Sequence, residues 1–348
     1  MEYRVSATAL YHKALHWFAV FTAVCTLFLI VAGGLVTSTG SGLAVPDWPL
    51  SYGQLMPPMV GGIFYEHGHR LVATTVGILT IILAVWLQLK EERPWLRKLG
   101  WVALVLVVIQ GALGGLTVIL LLPTAVSVTH ATIAQTFFWL VSSVALFTSK
   151  WWIKNDIVNI QVKLDKYTLI YCISMICIVY IQLILGALMR HTGSGLAIPD
   201  FPLAYGQVLP SLSEEAMAQY NRQLIYSDIR LAAEGPITSL QIVIHLLHRL
   251  WALVVTVGVV ALSTTLLKQR IQVLHRYAFL LLALLATQLT LGTLTVLTRK
   301  SFEIATAHVA VGALMLTVSA LTALSVARLS GRFSFRPLYV QEAKEALT

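Results

Sequence analysis

The sequence predicts an all-α integral membrane protein in which eight transmembrane helices form two tandem, parallel-duplicated four-helix bundles. Three observations indicate this fold class. The 348 residues are 57% hydrophobic and only 11% charged, whereas soluble proteins carry about 25% charged residues. Apolar runs of about 20 residues, the length that crosses a bilayer, recur along the chain. Motifs of the first half also return in the second half.

Eight apolar runs meet the length that a membrane-spanning helix needs. None shows sustained alternation with a period of two, so the pattern disfavours a transmembrane β-barrel. The runs cover approximately residues 15–36, 66–88, 98–121, 125–148, 167–188, 240–266, 275–297 and 302–326.

Lysine and arginine predict how the chain is oriented. Most of the 24 lie in the N-terminal segment, in alternate connections and in the tail, whereas the connection 37–65 has none. By the positive-inside rule, both termini face the cytoplasm, and the connections 37–65 and 189–239 lie outside. The same rule explains the net charge of +9, so the lipid bilayer is an expected partner and nucleic acid is not.

A loop motif rich in Gly and Pro occurs once in each half. Residues 39–50 read TGSGLAVPDWPL, and residues 192–203 read TGSGLAIPDFPL. Two interpretations are open: a structural lid over the helix ends, or the wall of a ligand pocket. In the pocket, Asp47 and Asp200 would bond the ligand or nearby backbone N–H groups. The polar segment 211–236, present only in the second half, is predicted to be a surface helix over the second site.

The repeat defines the domains. Each repeated unit holds four helices, an even number, so both halves enter the membrane from the same side and the duplication is parallel. The predicted organisation is an N-terminal half (1–150), a cytoplasmic linker (151–166), a C-terminal half (167–330) and a cytoplasmic tail (331–348).

An ionisable cluster, Glu66-x-x-His69-Arg70, heads the second apolar run. Ionisable groups at such a position are costly, so they are functional candidates. Glu66 and His69 are three residues apart and share one face of a helix. The second half repeats the pattern with His245 in place of the acid. The copies therefore differ at the residue best suited to chemistry.

Four histidines head even-numbered helices, all of which start on the outer side, so the imidazoles should lie at similar depth. Two facing imidazoles in a helical bundle suit axial ligation of haem iron. Zinc or non-haem iron would normally need a third or fourth protein ligand. The predicted iron ligands are His69 and His130 in the first half and His248 and His308 in the second.

Arg70 and Arg249 each follow a candidate haem ligand. Their guanidinium groups can pair bidentately with haem propionates. The other interpretation is a structural salt bridge, or snorkelling of the charged group to the interface.

These residues resemble the haem A synthase family, membrane enzymes that convert haem O to haem A. The resemblance covers nearly all of the chain. It implies that His69 and His130 face a substrate haem, that Glu66 is catalytic, and that His248 and His308 ligate a haem b cofactor. One departure is that residues 37–65 lack the cysteine pair of some family members, so a thiol-dependent step cannot operate there.

The resemblance further implies oxidation of a haem O methyl group to a formyl group, with electrons leaving through the bis-His haem b. It implies a multi-pass protein of a prokaryotic cell (inner) membrane. The partners would be a haem O synthase and an electron acceptor, and a homo-oligomer is left open. Two other classes remain: a two-haem membrane cytochrome b that transfers electrons, and a transporter.

Overall fold

A computed structural model describes residues 11–153, 164–165, 167–227 and 235–331 of the chain. Most of the predicted linker 151–166 and of the tail 331–348 therefore lies outside the described residues. The first linker residues, 151–153, are helical.

In the described part of the chain, eight helices are long and apolar enough to cross a membrane. This confirms the predicted all-α membrane class. A ninth, shorter helix (α6) is amphipathic and follows the second loop motif. The helices are α1 (Lys13–Ser38), α2 (Gly62–Lys90), α3 (Pro94–Ile119), α4 (Thr124–Phe147), α5 (Thr168–His191), α6 (Glu214–Tyr226), α7 (Ser239–Lys268), α8 (Gln272–Leu297) and α9 (Phe302–Leu329).

The long helices pack as two closed sets of four. In the first set each helix contacts the next, and α4 closes the ring against α1. In the second set α5, α7, α8 and α9 do the same. The sets meet where α9 packs on α1 and α4, and where α4 packs on α5. Equivalent helices thus have equivalent neighbours, which is the arrangement that the predicted duplication requires.

Each set buries its own apolar core and leaves an apolar exterior. Leu83 and Val141 belong to the buried core of the first set, and Leu262 and Leu281 to that of the second. Many large apolar side chains on the outer faces, such as Val257, are more than half exposed. Exposed apolar surface on this scale fits contact with lipid, because a bilayer solvates it as well as a protein core does.

The two loop motifs fold back on themselves. The Asp47 carboxylate accepts hydrogen bonds from the backbone N–H groups of Tyr52 (2.7 Å) and Gly53 (2.8 Å). Asp200 makes the same pair of bonds in the second loop. Each aspartate therefore bonds backbone N–H groups of its own loop.

Helix α6 covers the second loop, as predicted for a surface helix in segment 211–236. The ring of Tyr220 stacks on that of Tyr205 with 3.7 Å between centroids, and Leu224 of the same helix is also buried. Residues 228–234 of the segment lie outside the described part of the chain.

Candidate functional site

The four candidate iron ligands lie at one end of the bundle, within the first three turns of α2, α4, α7 and α9. We call it the histidine end; it also carries the loops that precede α2 and α7. Each imidazole lies against a glycine of a neighbouring helix, and at three of the four positions an added Cβ atom would press on the ring. The distance from such a Cβ atom to the ring atom Cε1 would be 3.0 Å for Gly33 and His69, for Gly186 and His248, and for Gly292 and His308. It would be 3.4 Å for Gly114 and His130.

The second pair of histidines has a separation that suits a shared metal. The ring centroids of His248 and His308 are 6.5 Å apart, with 69° between the ring planes. With metal–nitrogen bonds of about 2.0 Å on both sides, two imidazoles that share an iron would have centroids about 6 Å apart. The residues therefore fit a bis-histidine haem.

Glutamine amides surround the second pair. Gln182 Nε2 lies 3.2 Å from Nδ1 of His248 and donates to its backbone carbonyl at 3.1 Å. Gln288 Nε2 lies 3.4 Å from Nε2 of His308. The position equivalent to Gln182 in the first half is Leu29, so the first pair of histidines has no counterpart of the Gln182 amide.

The first pair is also buried. His69 and His130 are close enough to interact electrostatically. Nδ1 of His69 is buried without a hydrogen-bond partner. Because buried polar atoms in proteins normally have a partner, this imidazole fits a bound group that completes its coordination or hydrogen bonding.

The Glu66 carboxylate joins α2 to the first loop. Its side chain is buried, Oε2 accepts from the backbone N–H of Val45 at 2.8 Å, and Oε1 accepts from Arg70 Nη2 at 2.6 Å. Both oxygens are thus placed by charge-assisted bonds, the stronger class of hydrogen bond.

His245 makes the equivalent connection in the second half. Its Nδ1 lies 3.3 Å from the backbone nitrogen of Ile198, the counterpart of Val45. Arg249 donates through Nε to His245 Nε2 at 3.0 Å. A neutral imidazole has one acceptor nitrogen, so His245 can accept from Arg249 or from the Ile198 backbone N–H, but not from both at once. The fold therefore tolerates a neutral imidazole where the first half has an acid.

Both arginines are used by the loops. Their guanidinium groups each donate to three loop carbonyls, so the structural role that the sequence left open is present. The propionate role remains a prediction. Arg70 contacts the carbonyls of Val45, Asp47 and Leu50 at 2.7–3.2 Å, and Arg249 those of Ile198, Asp200 and Leu203 at 2.8–3.1 Å.

The comparisons with known proteins agree with the residue pattern. A model of the COX15-CtaA family, described as cytochrome oxidase assembly protein, matches residues 16–62 and 59–320. A haem A synthase from Geobacillus kaustophilus is 29% identical over 85% of this chain and 86% of its own length. One from Alkalihalophilus pseudofirmus is 31% identical over 62% of this chain and 72% of its own length.

The chain belongs to the COX15-CtaA family. The family resemblance inferred from the paired loops, the histidines and Glu66 is thereby confirmed. Of the residues that the structure describes, no group of three or more His, Cys, Asp or Glu side chains could hold a metal ion. A metal at the histidine end would therefore need to bring other ligands, as a haem does with its four ring nitrogens.

The residue pattern did not indicate a hydrogen-bonded pair of side chains, Ser51 and His67, beside Glu66. Ser51 Oγ lies 2.8 Å from Nδ1 of His67 and 3.4 Å from Arg70 Nη1. Both Ser51 and His67 are buried, and the second half has alanine and leucine at these positions, 204 and 246. A residue-by-residue comparison of the two copies would have found the pair.

Proposed function

We propose that the chain is a haem A synthase, an oxidoreductase that oxidises a methyl group of haem O to the formyl group of haem A. The observation that carries the proposal is the difference between two otherwise matched sites. Each site has two histidines packed on glycines, but only the first has the buried acid Glu66 beside them. An electron carrier with two haems would not need this acid.

The N-terminal half (1–150) would hold the substrate haem between His69 and His130. The C-terminal half (167–330) would hold haem b between His248 and His308. The support for haem b is the 6.5 Å separation of those two rings. When bound, haem b would supply one-electron transfer at the second site.

Glu66 would act on protons at the first site. With water as the oxygen source, conversion of a methyl to a formyl group releases four electrons and four protons. The electrons pass to a membrane electron acceptor, and the protons need a base close to the methyl group. Glu66 shares a helix face with His69, so its carboxylate can take protons one at a time from the substrate side. The hydrogen bonds from Arg70 and from the Val45 backbone N–H would hold the two oxygens of the Glu66 carboxylate in place during these transfers.

The proposal includes a cell-membrane location. Both termini would be cytoplasmic, and the histidine end, with the loops that precede α2 and α7, would lie toward the outer side. Haem O would come from a haem O synthase. The electron acceptor would be a separate membrane component.

Glu66→Gln tests this function. The amide keeps the shape of the side chain and removes the base, so haem A formation should fall by about 10²–10⁴-fold. Haem O should accumulate in the protein, and the haem b spectrum should not change. The measurement is separation of the haems extracted from membranes that also contain haem O synthase.

Glu66→His is the matched control for loop structure. In the second half, a histidine at this position lies beside both the loop backbone and the arginine. This variant should hold haem b normally and still make little haem A. Wild-type rates of haem A formation in Glu66→Gln would show that Glu66 only anchors the loop.

A further inference from the structure

Three cationic or donor side chains lie at the histidine end, and one of them bridges the two halves. Arg190 and His191 end α5, and Lys300 lies in the turn between α8 and α9. Arg190 Nη2 donates across the interface to the Gly34 carbonyl (2.5 Å) and to Ser38 Oγ (2.6 Å), both on α1. The Arg190 guanidinium is therefore held at the boundary between the two candidate haem sites.

Lys300 is held over the second loop. A Cβ atom added to Gly195 would lie 3.3 Å from Cδ of Lys300, which shows that the aliphatic part of the lysine side chain packs on the loop backbone. Burial lowers the pKa of Lys300, and the charge of Arg190 lowers this pKa further. The ammonium group is thus partly removed from water and close to a second cation.

The cluster adjoins the predicted iron ligands of both sites. Arg190 lies within electrostatic range of His308. His191 lies within range of Arg190 and of His130. Arg190 also lies four residues, or about one helical turn, beyond Gly186, which packs on His248, so it is on the same face of α5 as the second site.

No carboxylate neutralises this cluster in the described part of the chain. The ion pairs there join Arg70 to Glu66 and Arg93 to Glu91. Glu303, which follows Lys300 in sequence, is exposed and accepts from Ser301 Oγ. Because a cation removed from water is costly unless it is paired, the cluster calls for an anion from outside the chain.

The fold does not need these charges. The corresponding residues of the first half are Thr37, Ser38 and Leu122, all neutral. Lys and Arg are otherwise scarce in the connections at this end of the bundle. The cations of the second half are therefore exceptions to the charge distribution that orients the chain.

We propose that Arg190, His191 and Lys300 form an anion site that binds the propionate carboxylates of the haem held by His248 and His308. Arg249, the arginine beside that site, already donates to three loop carbonyls and to His245. The charges of this cluster, in contrast, pair with no carboxylate of the described residues, so they can supply further donors to the propionates. The inference rests on the proposed function, because it assumes a haem in the second half.

The test compares haem b with haem b dimethyl ester, in which both carboxylates are blocked. Full-length protein depleted of haem is loaded with each, and transfer to an excess of apomyoglobin gives the rate of loss. Wild-type protein should lose the dimethyl ester about tenfold faster than haem b, the factor for one charge-assisted contact. Lys300→Met keeps the stem on the loop and should lose most of that difference. Lys268→Met, an exposed change at the other end of α7, should not.

The outcomes separate this site from the function on which it rests. Equal loss of haem b and its ester from wild-type protein, or an unchanged ratio in Lys300→Met, would refute the anion site alone. The same measurement in discs of phosphatidylcholine and of phosphatidylglycerol tests a lipid headgroup as the anion. A haem preference that disappears in the anionic lipid would also count against the propionates. A chain that takes up neither haem would refute the proposed function and this site with it.

Discussion

Arg70→Lys is expected to loosen the first loop without unfolding the bundle. The Arg70 guanidinium donates to the carbonyls of Val45, Asp47 and Leu50 and to the Glu66 carboxylate, and its side chain is only 15% exposed. A lysine ammonium is a single point with three donors and cannot reproduce the planar fork that spans these acceptors.

The size of the effect follows from the bonds that lysine cannot replace. If the ammonium keeps Glu66 and one carbonyl, two hydrogen bonds from a charged donor are lost, each worth about 1.5–3 kcal/mol. Water can reach part of the exposed loop and recover some of this. We therefore expect a loss of about 2–4 kcal/mol in the free energy of local opening.

Hydrogen exchange of the loop amides measures this free energy directly. Protection of the amides in residues 45–54 should fall by about 30- to 1,000-fold in Arg70→Lys. The second loop should not change. Arg222→Lys, an exposed substitution on α6, serves as the control and should leave both loops unchanged. Wild-type protection of residues 45–54 in Arg70→Lys would refute the role of Arg70 in holding the loop.

Two further predictions concern the same loop. Ser51→Ala removes the contact with His67, and the second half has alanine at the equivalent position. We expect the rate of haem A formation to fall about tenfold, with the haem b spectrum intact. An unchanged rate would show that the contact does not contribute to catalysis. The backbone N–H groups of Gly53 and Tyr52 lower the pKa of Asp47. A carboxyl with a lowered folded pKa contributes stability above its unfolded pKa, which is lost as the pH falls through the folded value. Exchange of the Gly53 amide should therefore rise below about pH 4, and Asp47→Asn should remove this dependence; a pH profile unchanged by that substitution would contradict the assignment.

The membrane helices were predictable because bilayer thickness sets a length that apolar runs must meet. Their ends were less predictable. Helix α2 begins at Gly62, four residues before the predicted start at residue 66. Hydropathy marks where a segment becomes apolar. The helix itself begins after Gly61, whose positive φ of 53° is not helical and therefore stops the helix from extending further toward the N-terminus.

The candidate site was partly predictable. Histidines and an acid at the head of apolar runs are unusual by residue type alone, so Glu66 and the four histidines could be named. The carbonyl partners of Arg70 could not, because they depend on the backbone path of the loop. Arg190 was missed because its contact with Gly34 joins the two halves, and residue patterns within each half carry no signal of how the halves pack.

The haems extracted from the purified protein give the most direct test of a substrate site beside a haem b site. The protein would be made with and without a supply of haem O. We expect haem b in constant amount in both preparations, and a second haem, haem O or haem A, only where haem O is supplied. Loss of the second haem alone in His69→Ala would place it in the first half. Absence of any haem, or one invariant set of haems regardless of haem O supply, would contradict the assignment.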